Sequence, residues 1–356
     1  MNIVSNKAFE PNWASPPGGT ILDILEAKRV PLSEFAHQID CSYEFAEALI
    51  EGRTTINLAL ARQLRRVIGG SVEFWMSRDF QYQEDIARVQ KKWMADLPLE
   101  DMIRYGWLKP GVLPQENLDA CLKFFGVPSV DKWHERYSNL PEEIAFRTSP
   151  SFASKTAAVA AWLREGELVS EAIACEPWNA NRFKQRLSTV RSLTKIKNPS
   201  SFIPDLQWHC SQCGVAVAIV RAPSGCRASG ATRFISPKKA ILQLSFRYLT
   251  DDQFWFTFFH EAGHLLLHAS GDVILEGIEK NLSTKEKEAN EFAARTLIPV
   301  ELSSDLAKLS LNARDVVRFA VKLGVSPGII VGQLQHLRRI GPGKLNKLKR
   351  RYKWNN

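Results

Sequence analysis

The chain has 356 residues, 45% of them apolar, a composition that suits two or three domains with cores of their own and excludes a disordered chain. No apolar run approaches the ~18 residues of a membrane span, the opening MNIVSNKAFEPNW has no signal-peptide pattern, and six scattered cysteines make no disulfide framework. The net charge of +9 is nearly all carried by eight basic residues between Arg338 and Lys353, so it belongs to a tail and does not mark the whole surface as a nucleic-acid binder. The expectation is a soluble, cytoplasmic protein with no membrane partner. Its basic tail either holds phosphates or an acidic partner, or is an internally paired or solvated terminal helix.

After the punctuation SPPGG (Ser15 to Gly19), apolar spacing predicts short helices from about Thr20 to Val30 and from Leu32 to Ile39. A third follows Ser42, a plausible N-cap, and ends at Gly52; a fourth runs from Leu58 to Ile68. Short helices with tight turns fit a helix-turn-helix bundle, whose groove-entering helix would be Ser42–Gly52, with Ser42, Tyr43 and Arg53 as candidate nucleic-acid contacts. That helix carries Glu44, Glu47 and Glu51 and neither Lys nor Arg, which opposes phosphate binding. The segments PPGGTILDILEAKRVPLSEFAHQIDCS and ALIEGRTTINLALARQLRRVIGGSVEFW resemble the Cro/repressor-type helix-turn-helix of HigA-like antitoxins.

Residues 90 to 200 read as short helices broken at Gly111, Pro114, Pro128 and Pro141, with tryptophans as core anchors and no cluster of chemical groups. Another helical pattern runs from Pro204 to Gly214, and its Cys210 and Cys213 read as buried thiols at a helix end. Then the period changes. Val215–Val220, Gly230–Phe234 and Ala240–Leu244 are strand candidates, and from Asp251 through Ala269 the pattern is helical again.

Within that last helix stands His260-Glu261-Ala262-Gly263-His264. Two histidines four apart share one helix face, about 6 Å apart in rise, so both rings can reach one zinc ion, while Glu261 can act as general base on an attacking water. The apolar flanks WFTFF and LLL would bury this His-Glu-His set, which is costly without a metal. A zinc site needs a third protein ligand. His268 lies eight residues, about 12 Å of rise, from His260 and is too far, so it reads as a helix-end or outer residue. Downstream, Glu286-Lys287-Glu288-Ala289-Asn290 offers Glu286 as third ligand on a face shared with Ala289, Asn290 and Ala293, with Glu288 as the lesser option. Ser283 or Thr284 would cap this helix, and Asn290 would hydrogen-bond a ligating histidine. Arg233, Arg247 and His336 are candidate substrate or transition-state contacts.

The run SGATR, LQLSFRY, DDQFWFTFF, HEAGHLLLH, EANEFAARTLIP, VSPGIIVGQLQH and LNKLKRRYKW resembles the ImmA/IrrE family of metallo-endopeptidases, in particular its long members with an N-terminal helix-turn-helix. The resemblance implies an α+β protein of three parts: a helix-turn-helix domain over 1–90, a helical connecting region over 91–204, and a gluzincin-like zinc peptidase domain over 205–356 ending in the basic tail. It implies Zn2+ held by His260, His264 and Glu286, Glu261 as base, and cleavage of a cognate repressor or antitoxin. The competing reading is a non-proteolytic transcriptional regulator or antitoxin of a toxin–antitoxin or mobile-element locus, which binds operator DNA or a cognate toxin. A homodimer fits either.

Overall fold

The computed structural model describes residues 13–109, 111, 114–137, 155–268 and 279–354, of which 279–283 are described by their backbone. The chain divides into two compact units, Met1–Ala95 with Ser129–Asp131, and Asp96–Pro128 with Lys132–Asn356. Among the described residues no helix is long and apolar enough to cross a membrane.

The first unit is built from α1 (Pro17–Lys28), α2 (Leu32–Gln38), α3 (Tyr43–Ile50), α4 (Leu58–Val67) and the long α5 (Val72–Asp96). Its core gathers Ile21, Leu25, Phe35, Ile39, Ala46, Leu49, Leu60, Leu64 and Trp75. Glycine is required at position 18, because a Cβ there would lie 1.9 Å from the carbonyl oxygen of Ile50. Side-chain caps set the helix starts: Ser42 Oγ accepts the Phe45 N–H (3.2 Å), Asn57 Oδ1 the Leu60 N–H (2.9 Å) and Ser71 Oγ the Phe74 N–H (3.0 Å). Along α3, Tyr43, Glu44, Phe45 and Glu47 are exposed, and Arg53 just beyond it is ion-paired with Glu51.

The second unit holds α6 (Leu99–Arg104), α7 (Pro114–Phe125), most of α8 (Val130–Tyr137), α9 (Thr156–Glu171), α10 (Ala180–Leu193) and α11 (Pro199–Ser211). Strands β1 (Val215–Ile219), β2 (Gly230–Ser236) and β3 (Lys239–Leu244) follow, then α12 (Asp251–Leu267), α13 (Glu279–Leu297), α14 (Ser303–Lys308), α15 (Ala313–Leu323) and α16 (Pro327–His336). The helices expected as a connecting region therefore share a unit with the sheet. Two expected starts shift: α11 begins at Pro199 and carries Pro204 inside it, and α13 begins at Glu279, so Ser283 and Thr284 are not its cap.

The sheet order is β1-β3-β2, with β1 parallel and β2 antiparallel to β3. Because side chains alternate across a strand, register decides which of them meet α12. Val217, Leu242 and Leu244 face the core that contains Trp255, Phe258 and Phe259 of α12. On the opposite face Gln243 Nε2 donates to the Trp162 carbonyl of α9 (2.6 Å), and Trp162 Nε1 donates to the Val220 carbonyl (2.9 Å). The sheet is thus a wall between α9 and α12.

The start of α12 is pinned by the far end of the chain. Residues 349–352 run beside 249–252: Thr250 and Arg351 form an isolated antiparallel bridge, and the Tyr352 N–H donates to the Leu249 carbonyl (2.8 Å). Asp251, fully buried, accepts from Ser326 Oγ and from the Arg350 N–H, and buried Asp252 pairs with Lys349 Nζ at 2.7 Å. Arg350 also donates to the Thr194 and Ile196 carbonyls, and Arg339 to those of Leu306 and Leu309. Arg339, Lys349 and Arg350 of the basic tail are therefore paired within the protein, while Arg338, Lys344, Lys347, Arg351 and Lys353 are exposed. The tail forms a short 3-10 turn (Asn346–Leu348) and an extended segment rather than a terminal helix.

Candidate metal centre

Helix α12 carries His260, Glu261 and His264 in its C-terminal half, where all three are buried, His260 and Glu261 completely. Helix α13 packs closely along this stretch because Gly263 has no side chain. A Cβ there would lie 3.1 Å from Phe292 Cδ1 and 3.3 Å from Ala289 Cα. Buried Ala289 and Ala293 continue the seam, and Glu286 comes to the histidines from the same helix.

The three candidate ligand atoms converge. His260 Nε2 lies 3.1 Å from His264 Nε2 and 3.4 Å from Glu286 Oε2, and His264 Nε2 lies 3.1 Å from Glu286 Oε1. Ligands about 2.0–2.1 Å from a tetrahedral ion are about 3.3–3.4 Å from one another, so the observed spacing is close to that of a single tetrahedral metal ion. The outer ring nitrogens say the same. His260 Nδ1 lies 3.1 Å from Asn290 Oδ1, an acceptor, so the ring's proton sits on Nδ1 and its Nε2 lone pair faces inward. His264 Nδ1 lies 3.0 Å from His268 Nδ1, and His268 Nε2 lies 2.8 Å from Glu288 Oε2. Lone pairs and a carboxylate pointed at one spot in a buried setting repel one another unless a cation joins them. The residues present fit a divalent metal ion.

Burial keeps His268 below the ordinary imidazole value, against the pull of the Glu288 carboxylate in the other direction.

Glu261 projects toward the edge strand of the sheet. A Cβ on Gly230, the first residue of β2, would lie 2.7 Å from Glu261 Cγ and Oε1 and 2.6 Å from Thr257 Cγ2. The glycine lets the strand close on the carboxylate.

The remaining candidates are placed elsewhere. Arg233 sits one residue out of phase with Gly230 and Thr232, so the pleat turns it to the other face of the sheet. There it pairs with Glu167 (2.8 Å) and donates to the Leu163 carbonyl, both on α9. Arg247 donates to the Arg227 carbonyl and lines a cleft with Ser229, Gln253 and Thr257, one turn before Glu261. His336 is exposed at the end of α16. Its neighbour Gln335 shares the Lys349 ammonium with Asp252, eight residues or about 12 Å of helix rise from His260. Glu288 is bound to His268 and is not in the metal-competent group, which among the described residues is His260, His264 and Glu286. Ser42, Tyr43 and Arg53 lie in the first unit, Ser42 as a helix cap and Arg53 held by Glu51.

The spacing of the sequence did not reveal two features of this centre, the contact of Gly230 with Glu261 and the bonding of His268 between His264 and Glu288. Glycine at the first position of a strand that precedes a His-Glu-His helix, and a histidine four residues beyond His264, were the available signals.

Residues 215–334, about a third of the chain, match the family model of the IrrE N-terminal-like domain, Peptidase_M78. The matched segment starts at the first residue of β1, takes in all of α12 and α13, and ends in α16. It supports a metallopeptidase-type domain in this part of the chain. A search of curated proteins finds no match.

Proposed function

We propose that the protein is a zinc-dependent endopeptidase that cuts a regulatory protein, a repressor or antitoxin. The observation that carries the reading is the convergence of His260, His264 and Glu286 next to a buried Glu261, in a segment that matches a peptidase family model. Zinc bound by the three residues would supply Lewis acidity toward the scissile carbonyl and the attacking water. His260 and His264 hold their inward lone pairs through the outer hydrogen bonds of their Nδ1 atoms, and Glu286 adds the negative charge that favours a dication. Glu261 takes a proton from the attacking water and delivers it to the leaving amide nitrogen. Gly230 leaves room for that carboxylate, and the apolar packing of Phe258, Phe259 and Ala262 limits its movement.

The first unit is proposed to dock the protein partner. Its α3 offers exposed Tyr43 and Phe45 among Glu44, Glu47 and Glu51, a face that suits a basic protein surface better than DNA phosphates.

The test is proteolysis of regulators encoded beside the gene, with wild type and Glu261→Gln compared. The variant should keep its metal and lose at least about 100-fold in cleavage rate. Cleavage at the wild-type rate by Glu261→Gln would overturn the peptidase mechanism.

A further inference from the structure

We infer that His268 and Glu288 are a positioning pair that selects which nitrogen of His264 faces the metal, an inference that rests on the zinc reading above. His264 Nδ1 and His268 Nδ1 are 3.0 Å apart, and two identical ring nitrogens at that distance share one proton. Nothing in the two rings alone decides which nitrogen carries it. If His268 donates, His264 holds its own proton on Nε2, and the inward lone pair needed for metal binding is lost. If His264 donates, its Nε2 is free to ligate.

Glu288 decides. Its carboxylate Oε2 lies 2.8 Å from His268 Nε2, and a carboxylate only accepts, so the His268 proton resides on Nε2. Its Nδ1 is then the acceptor for the His264 Nδ1–H. The order runs from Glu288 on α13 through His268, at the end of α12, to His264 one turn back. Asn290 does the same for His260 with one bond, and it too sits on α13. Both histidines of α12 are thus oriented from the helix that supplies Glu286, so metal binding is linked to the docking of α13 at three points.

The placement fits the task. The His268 side chain is 8% exposed, which shields its two hydrogen bonds from water, while Glu288 is 54% exposed and keeps most of its carboxylate hydrated.

The experiment is zinc affinity of the full chain, measured by competition with a chromophoric chelator, for wild type, His268→Phe, His268→Asn and Glu288→Gln. Phenylalanine keeps the ring volume and removes the acceptor. Asparagine loses volume but puts an amide oxygen near the place of Nδ1, whereas glutamine at 288 can donate as well as accept and so no longer fixes which nitrogen of His268 carries the proton. The expected result is about 10–100-fold weaker zinc binding for His268→Phe and a smaller loss for Glu288→Gln, with His268→Asn within a few-fold of wild type. A packing role would give the reverse order for the two His268 variants. In parallel, 15N spectra of the metal-free protein, which has seven histidines, should show His264 with its proton on Nδ1 in wild type and a mixture of tautomers in His268→Phe. Wild-type zinc binding with unaltered affinity in His268→Phe, or a His264 proton found on Nε2 in wild type, would overturn the pair while leaving the metal centre standing. A wild-type protein that takes up no zinc would overturn the zinc reading and, with it, this one.

Discussion

The two ends of α12 treat buried polar groups in opposite ways. At its start, Asp251 and Asp252 are buried carboxylates whose partners come from within the fold: Ser326 Oγ, the Arg350 N–H and the Lys349 ammonium. In its C-terminal half, His260 and His264, with Glu286 of α13, turn their acceptor atoms toward one another at 3.1–3.4 Å. Desolvation is costly at both ends, and at the first the chain itself supplies hydrogen-bond donors and a cation that offset part of the cost. The difference separates a structural polar cluster from a chemical one. Where the fold supplies donors and a counter-charge, burial fastens elements together; where acceptor atoms converge, the geometry suits a cation.

The comparison can be broken first at the closed end. Lys349→Ala leaves Asp252 buried without its ammonium and should destabilise the unit by about 3 kcal/mol in urea denaturation. A loss below about 1 kcal/mol would mean that Asp252 is as well solvated as a surface carboxylate and that the tail is not a fastening.

A smaller effect sharpens the same contrast through pH. Burial raises the Asp251 carboxyl above its ordinary value, outweighing the hydrogen bonds from Ser326 and Arg350 that lower it. A carboxyl whose folded pKa exceeds its unfolded value contributes its full stability below the unfolded value, about 3.9, and loses that contribution as pH rises through the folded one. Asp251→Asn removes the titration but keeps an oxygen acceptor. The stability of wild type relative to Asp251→Asn should therefore fall as pH is raised from about 4 toward neutrality. A difference that is flat or that rises with pH would show that the partners of Asp251 outweigh its burial.

These contrasts also explain what could be read in advance. His260 and His264 lie on one helix face, so helical spacing alone puts their rings together. Glu286 and Glu288 could be ranked by face, but not settled, because the ten residues 269–278 and the start of α13 separate them from α12. The apparent cap at Ser283 or Thr284 is overridden by a helix that begins at Glu279. Arg233 looked free to reach substrate because strand parity is invisible until register is known, and one residue of phase turns it to α9. Which basic residues of the tail are internally paired was not legible, since the partners of Lys349 and Arg350 are nearly a hundred positions away, at Asp252 and Asp251. His268 is too distant from His260 to share a metal, and spacing did not show that its Nδ1 meets that of His264. Local periodicity thus carried the ligands that share one helix, whereas contacts distant in sequence needed the fold.

The central claim is that three side chains from α12 and α13 hold one metal ion. Its most direct test is the metal content of the purified protein after zinc-replete expression, with wild type beside Glu286→Ala and Glu288→Ala. The account predicts about one zinc per chain in wild type and in Glu288→Ala and a loss of that zinc in Glu286→Ala. No zinc in wild type, or full zinc retained by Glu286→Ala, would contradict it.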